Sequence, residues 1–252
     1  MTPDARPSTP SPRTAIVTGG GRGIGRAIVE ALAEDGWRVA FCGRDPERTA
    51  AAEKELQARF GARVSGAAVD VRDPRAVEAF VAAVLVENGA IDLLVNNAGV
   101  GRFAPIDEIS EEAWRETIET NLSGPFYFLH AVAPAMKRAT SGWIVNVASL
   151  AGRHAFAGGA AYNASKFGLV ALSEAAMLDL RPHGVRVGTI LPGSVETEFG
   201  HPAGHAAGTG ARPGGWRLAP EDVAAAVLHL LTYPERALPS VIEIRPTKTG
   251  NG

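Results

Sequence analysis

Tyr162 precedes Lys166 by four residues, and Ser149 stands thirteen residues before Tyr162 at the end of an apolar run. Positions i and i+4 of a helix share a face, so a helix over 161–180 would bring the phenol and the ammonium over one substrate. A phenol with a free pKa near ~10 is a poor base at neutral pH, but a neighbouring cation stabilises the phenolate and lowers that pKa. Ser149 can then donate a hydrogen bond to the same substrate oxygen. The set suits reversible proton transfer to a carbonyl oxygen. On its own Tyr-x-x-x-Lys carries little, since the pair is common on exposed helices.

What lifts it is a glycine-rich turn near the other end of the chain. The β-branched run Ala15-Ile16-Val17 leads directly into Thr18-Gly19-Gly20-Gly21-Arg22-Gly23-Ile24-Gly25, and residues 26–35 place Ile28, Val29 and Leu32 at helical spacing. Strand, glycine turn and helix form the arrangement in which backbone N–H groups cradle a pyrophosphate. Glycines serve where backbone must approach phosphate or take positive φ. The spacing is G-x-x-x-G-x-G and differs from the common dinucleotide G-x-G-x-x-G. A plain tight βα connection is the alternative reading of the turn alone.

These motifs must be held by alternating elements. Strands are expected at 15–17, 38–42, 64–68, 93–95, 144–147, 185–191 and 241–244. Helices are expected at 23–35, 46–60, 74–88, 111–138, 161–180 and 220–231. The alternation implies an α/β, doubly wound Rossmann fold, a mostly parallel seven-stranded sheet with helices on both faces. Ligand chemistry should sit at the C-terminal ends of the strands, where every motif falls. The 252 residues, 46% hydrophobic, suffice for one domain over 13–252, and residues 1–12 read as a disordered tail of Pro, Ser and Thr.

Charge and cysteine usage narrow the class. A formal net charge of -2 offers no basic field for nucleic acid. The single cysteine, Cys42, reads as buried filler in a reducing, cytoplasmic setting. No run approaches a membrane span. His201 and His205 sit among Gly and Pro and read as loop residues, so no metal is expected.

The motif set as a whole resembles the short-chain dehydrogenase/reductase family, in its short single-domain form, from about Arg13 to the last strand. Besides the glycine turn and Ser149, Tyr162 and Lys166, the chain carries Asp70-Val71 after the third strand and Asn96-Asn97-Ala98-Gly99 after the fourth. It also carries Asn121 before Leu122-Ser123-Gly124, and Pro192-Gly193-Ser194-Val195-Glu196-Thr197 after the sixth. The resemblance implies an oxidoreductase interconverting a ketone and a secondary alcohol. Tyr162 would be the general acid/base, Ser149 would polarise the substrate oxygen, and Lys166 would bind the nicotinamide ribose and lower the phenol's pKa. Asn121 would hold a proton-relay water, with a helix-kinking role before Gly124-Pro125 as its alternative. Gly19, Gly21, Arg22, Gly23, Ile24 and Gly25 would hold the pyrophosphate, and Asp70 and Val71 the adenine. Asn97, Ala98 and Gly99 would line the ribose, and Pro192, Gly193, Val195 and Thr197 the carboxamide.

Cofactor choice follows from charge. Relatives preferring NAD carry an acid where this chain has Gly43, with Arg44 just after it. Arg44 and Arg22 therefore favour NADP(H) through charge-assisted hydrogen bonds to a 2′-phosphate, while Asp45 softens the preference and leaves NAD(H) as the alternative. The substrate pocket is expected around Arg102, Phe103, Leu150, Arg153, His154, Phe156 and Phe199; Glu196 and Glu198 are given no acid/base role. Two departures from the family stand out. Residues 199–218 read as a flexible segment where relatives carry a helical lid, and the C-terminus lacks the usual acidic-glycine signature. That second departure weighs against assignment to the 3-oxoacyl thioester reductases and puts the family's usual tetramer contact in doubt. A homodimer or homotetramer, through the long helices, is expected. The alternatives are a 3-oxoacyl thioester reductase, whose acidic carrier would have to meet Arg102 and Arg153, and, from another class, a non-catalytic NADP(H)-binding sensor.

Overall fold

The computed structural model describes residues 12–197, 199 and 216–248. Most of the N-terminal tail, most of the 199–218 segment, Glu198 and both His201 and His205 therefore lie outside the described residues. Seven strands form one parallel sheet in the order β3-β2-β1-β4-β5-β6-β7. They are β1 (Thr14–Thr18), β2 (Arg38–Gly43), β3 (Val64–Ala68), β4 (Leu93–Asn96), β5 (Gly142–Val147), β6 (Val185–Pro192) and β7 (Val241–Ile244).

Period-2 alternation decides which side chain meets which layer. Ile16 faces a core with Val77, Val81, Phe128, Val132 and Met136. Its neighbours Ala15 and Val17 face Ile28, Leu32, Phe41, Leu56, Val223 and Val227 on the opposite side. The first core is covered by α3 (Pro74–Asn88), α5 (Gly124–Ala139) and α6 (Ala160–Leu180), the second by α1 (Gly23–Glu34), α2 (Pro46–Phe60) and α7 (Pro220–Leu231). Because both faces are covered, the central strands β1 and β5 are buried along their whole length and show no in-out polar alternation.

Helix starts are set by local chemistry. Asp45 and Asp73 accept hydrogen bonds from the first turns of α2 and α3, each with proline at the first helical position. Ser110 does the same for α4 (Glu111–Ile118). The start of α1 at Arg22 has no side-chain cap and no acid in its first turn. Its N–H groups are left to face the cleft.

One expected helix is corrected. The run 111–138 is not continuous: α4 gives way to a π-helical turn at Glu119–Ser123 before α5 begins. Two local features explain it. Pro125 cannot donate the N–H that the carbonyl four residues earlier, Asn121, would receive in an α-helix. The side chain of Asn121 is also drawn fully into the interior, and a wider turn accommodates that placement.

Candidate active site

The strand order reverses between β1 and β4, and there the C-terminal ends of the strands open into a cleft of 1490 Å³. Its floor at one end is the glycine turn. Gly19 and Gly23 have φ of 66° and 52°. A Cβ on Gly25 would lie 2.1 Å from the Gly19 carbonyl oxygen, so no larger residue fits between the turn and α1. The turn is pinned from β4: the Thr18 hydroxyl accepts from the N–H groups of Asn97 and Ala98 at 2.9 Å each, and Asn97 Nδ2 donates to the Thr18 carbonyl at 3.0 Å. Asn97 thus shapes the cradle as well as lining it.

Beyond the turn, at the end of β2, stands Gly43, where a Cβ would lie 2.6 Å from Thr49 Oγ1 and would have to displace that hydroxyl. Asp45 is occupied as the cap of α2, accepting from Glu47 and Arg48 N–H at 3.1 Å. Arg44 lines the cleft but is ion-paired to Glu116 of α4 at 2.9 Å, and Arg102 holds the other carboxylate oxygen at 2.9 Å. Burial works against the charge of Glu116, yet the two guanidiniums keep its carboxyl below the usual range. Asp70, expected at the adenine, is held by Arg72 Nε at 2.9 and 3.0 Å, and this pairing lowers its pKa.

At the other end the sheet presents the residues expected to handle the proton. β5 ends at Val147, and Ser149 follows; α6 carries Tyr162 and Lys166 on one face. Lys166 is 4% exposed and donates from Nζ to the Val147 carbonyl at 3.0 Å. Burial lowers its ammonium to about 8. Desolvation pushes the Tyr162 phenol up, with the Ser149 hydrogen bond working the other way. Nζ is directed to the main chain and lies 5.8 Å from the centre of the Tyr162 ring. Asn121 is fully buried, accepting from Val100 N–H at 2.8 Å and donating to the Val100 carbonyl at 2.9 Å and Ser165 Oγ at 3.1 Å.

All the cofactor-side residues anticipated from the motifs line this one cleft, from Gly19, Gly21, Arg22, Gly23, Ile24 and Gly25 through Val71, Ala98 and Gly99 to Pro192, Gly193, Val195 and Thr197. Phe103, Leu150, His154, Phe156 and Phe199 line it as well. Arg102 and Arg153 do not: the first turns to Glu116 and the second to Glu243 on β7. The charge of each is met more favourably by a carboxylate than by the apolar pocket wall.

Several participants escaped sequence reasoning. Glu116 is one, since its partners lie 72 and 14 residues away. Another is a buried relay in which Asn96 Nδ2 donates to Asn146 Oδ1 and Asn146 Nδ2 donates to Ser173 Oγ, both at 2.8 Å, tying β4 and β5 to α6. Asn146 within an otherwise apolar strand was the available signal. Arg217 and Arg245 also line the cleft and were not singled out. Among the described residues no group of three or more His, Cys, Asp or Glu could hold a metal, and no helix is long and apolar enough to cross a membrane. Cys42 is buried, and burial pushes its thiol up to about 12.

Comparison with known proteins agrees with this architecture. A family model described as short chain dehydrogenase matches residues 13–207. A D-threitol dehydrogenase of Mycolicibacterium smegmatis is 44% identical over 191 residues, covering 76% of this chain and 73% of that protein. A 3-oxoacyl-acyl-carrier-protein reductase of Chlamydia muridarum is 39% identical over 187 residues, 74% of this chain and 75% of its own. The solved structure of a metagenomic short-chain oxidoreductase in complex with NADP superposes with a TM-score of 0.79 at 38% identity, covering 94% of this chain and 98% of that one. The chain belongs to the short-chain dehydrogenase/reductase family of oxidoreductases.

Proposed function

We propose that this oxidoreductase interconverts a ketone and a secondary alcohol with NADP(H), using Tyr162 as general acid and base. The observation that carries the reading is the convergence of Tyr162, Ser149 and Lys166 with the glycine cradle in one cleft. The fit of a dinucleotide is supported by the positive φ of Gly19 and Gly23, which shapes the turn, and by the start of α1, which has no side-chain cap and no acid in its first turn. Arg44, the absence of an acid at position 43, and the engagement of Asp45 as a helix cap support the phosphorylated cofactor. The similar metagenomic enzyme in complex with NADP supports it too. When bound, the reduced nicotinamide supplies a hydride to the carbonyl carbon.

The chain's own residues handle the proton. A phenol whose pKa is raised stays protonated at neutral pH and is ready to donate to the developing alkoxide. The Ser149 hydroxyl, aimed at the same oxygen, polarises the carbonyl before transfer. Lys166 restores the proton to Tyr162 from the interior side. With the Asn121 side chain committed to Val100 and Ser165, a relay water would rest on its main-chain carbonyl, which Pro125 leaves without an α-helical donor. The thioester-reductase alternative is not favoured, because Arg102 and Arg153 are ion-paired to Glu116 and Glu243 and do not line the cleft. The reading is tested by following NADPH and NADH oxidation against ketones, diketones, quinones and β-ketoacyl thioesters. Ketone reduction with NADPH preferred is expected; thioester reduction alone would replace the assignment.

A further inference from the structure

Phe103, Phe156 and Phe199 surround the Tyr162 ring with centroid separations of 5.5, 6.5 and 5.7 Å. Phe103 and Phe156 also pack on each other at 5.8 Å. All three rings line the cleft and remain 48%, 47% and 39% exposed. That much uncovered aromatic surface around a reacting group marks a site for an apolar ligand.

The wall is built by the backbone. The loop after β4 and the loop before α6 are zipped together by a parallel bridge between Ala104 and Gly159, with Ala104 N–H donating to the Gly158 carbonyl at 2.9 Å. Glycines behind the rings give them room: a Cβ on Gly101 would lie 2.7 Å from Phe103 Cζ, and one on Gly159 2.6 Å from Phe156 Cε2. The carboxylates lining the cleft, Asp45, Glu55 and Asp70, sit at the end near α2 and β3, far from Tyr162 in the fold. A polyhydroxylated substrate would leave the hydroxyls that Ser149 and His154 do not meet unpaired against phenylalanine faces, at about 1–3 kcal/mol for each buried group.

We infer that the substrate is an aryl ketone, with the planar ring next to the carbonyl seated among Phe103, Phe156 and Phe199, and that the reverse reaction takes the matching aryl carbinol. The Phe103 and Tyr162 rings meet at 71°, edge to face. The ring surface that this contact does not cover stays exposed and can take an offset or edge-on partner. The inference rests on the carbonyl-reductase reading.

The test compares kcat/KM for acetophenone, its saturated twin cyclohexyl methyl ketone, and the polyol ketone erythrulose, in the wild type and in Phe103→Leu and Phe156→Leu. Acetophenone should be preferred over its twin by about fivefold, and the ratio should fall toward one in both variants. Equal use of acetophenone and its twin, or a preference for erythrulose, would overturn the aryl assignment and leave the reductase reading standing. Acetophenone binding to Tyr162→Phe, followed by ligand-observed NMR, separates the two claims. Binding that weakens in Phe103→Leu, with no ketone turned over by the wild type, would keep the aryl site and end the reductase reading. Absence of binding would end the aryl site.

Discussion

Lys166 bears a charge where water is scarce, and that has a measurable consequence. Unfolded, its side chain titrates near 10.5; folded, near 8. Between those values the unfolded chain holds the extra proton, so this residue's contribution to stability improves as pH rises through the window. Below about 8 the buried ammonium costs roughly 3 kcal/mol. Lys166→Met should therefore be more stable than the wild type in urea at pH 7, with the difference shrinking by pH 9.5; a pH-independent difference would refute the burial argument. The phenol acts in the opposite sense. Because burial raises Tyr162, reduction should hold its rate through neutral pH while alcohol oxidation, which needs the phenolate, should quicken as pH rises. The pairing of Tyr162 with Lys166 was legible as an i,i+4 spacing. The depth at which Lys166 lies was not, since it depends on how tightly β5 and α6 close over it.

Elements decide which charges meet. Arg44 leaves β2 and Arg102 leaves β4, and Glu116 on α4 takes both. A carboxylate beside the place where a 2′-phosphate would sit opposes it and competes for Arg44. Glu116→Gln should bind NADPH about threefold tighter in a fluorescence titration, in line with the worth of a partly exposed ion pair. Weaker binding would mean that Glu116 instead holds Arg44 in its binding pose. Arg44→Asp should swing preference toward NADH, because repulsion then replaces attraction. The strands and most helices were readable from hydrophobic period, and the glycine turn from its spacing. The expected helix ran unbroken over 111–138, and the turn inside it entered only as the alternative role of Asn121 before Gly124-Pro125, because a run of apolar residues masks one missing donor. Glu116 was invisible for another reason: sequence distance says nothing of which loops converge at the end of a parallel sheet.

At the scale of the whole molecule, one side is less covered than the rest. Trp114 on α4, Phe126 on α5, and Phe167 and Leu178 on α6 are all at least 42% exposed, and α6 packs against both other helices. Apolar side chains this large on neighbouring helices suit a two-fold contact. Light scattering should give twice the 26.2 kDa chain mass or a multiple of it, and Phe167→Glu should shift the distribution toward the single chain. A wild type that scatters as one chain would refute this. The central claim nevertheless concerns one hydroxyl, and Tyr162→Phe tests it most directly. With the oxygen removed and the ring retained, NADPH affinity should stay within about twofold while ketone turnover falls by about 10²-fold or more. Turnover within tenfold of the wild type would contradict Tyr162 as the proton donor.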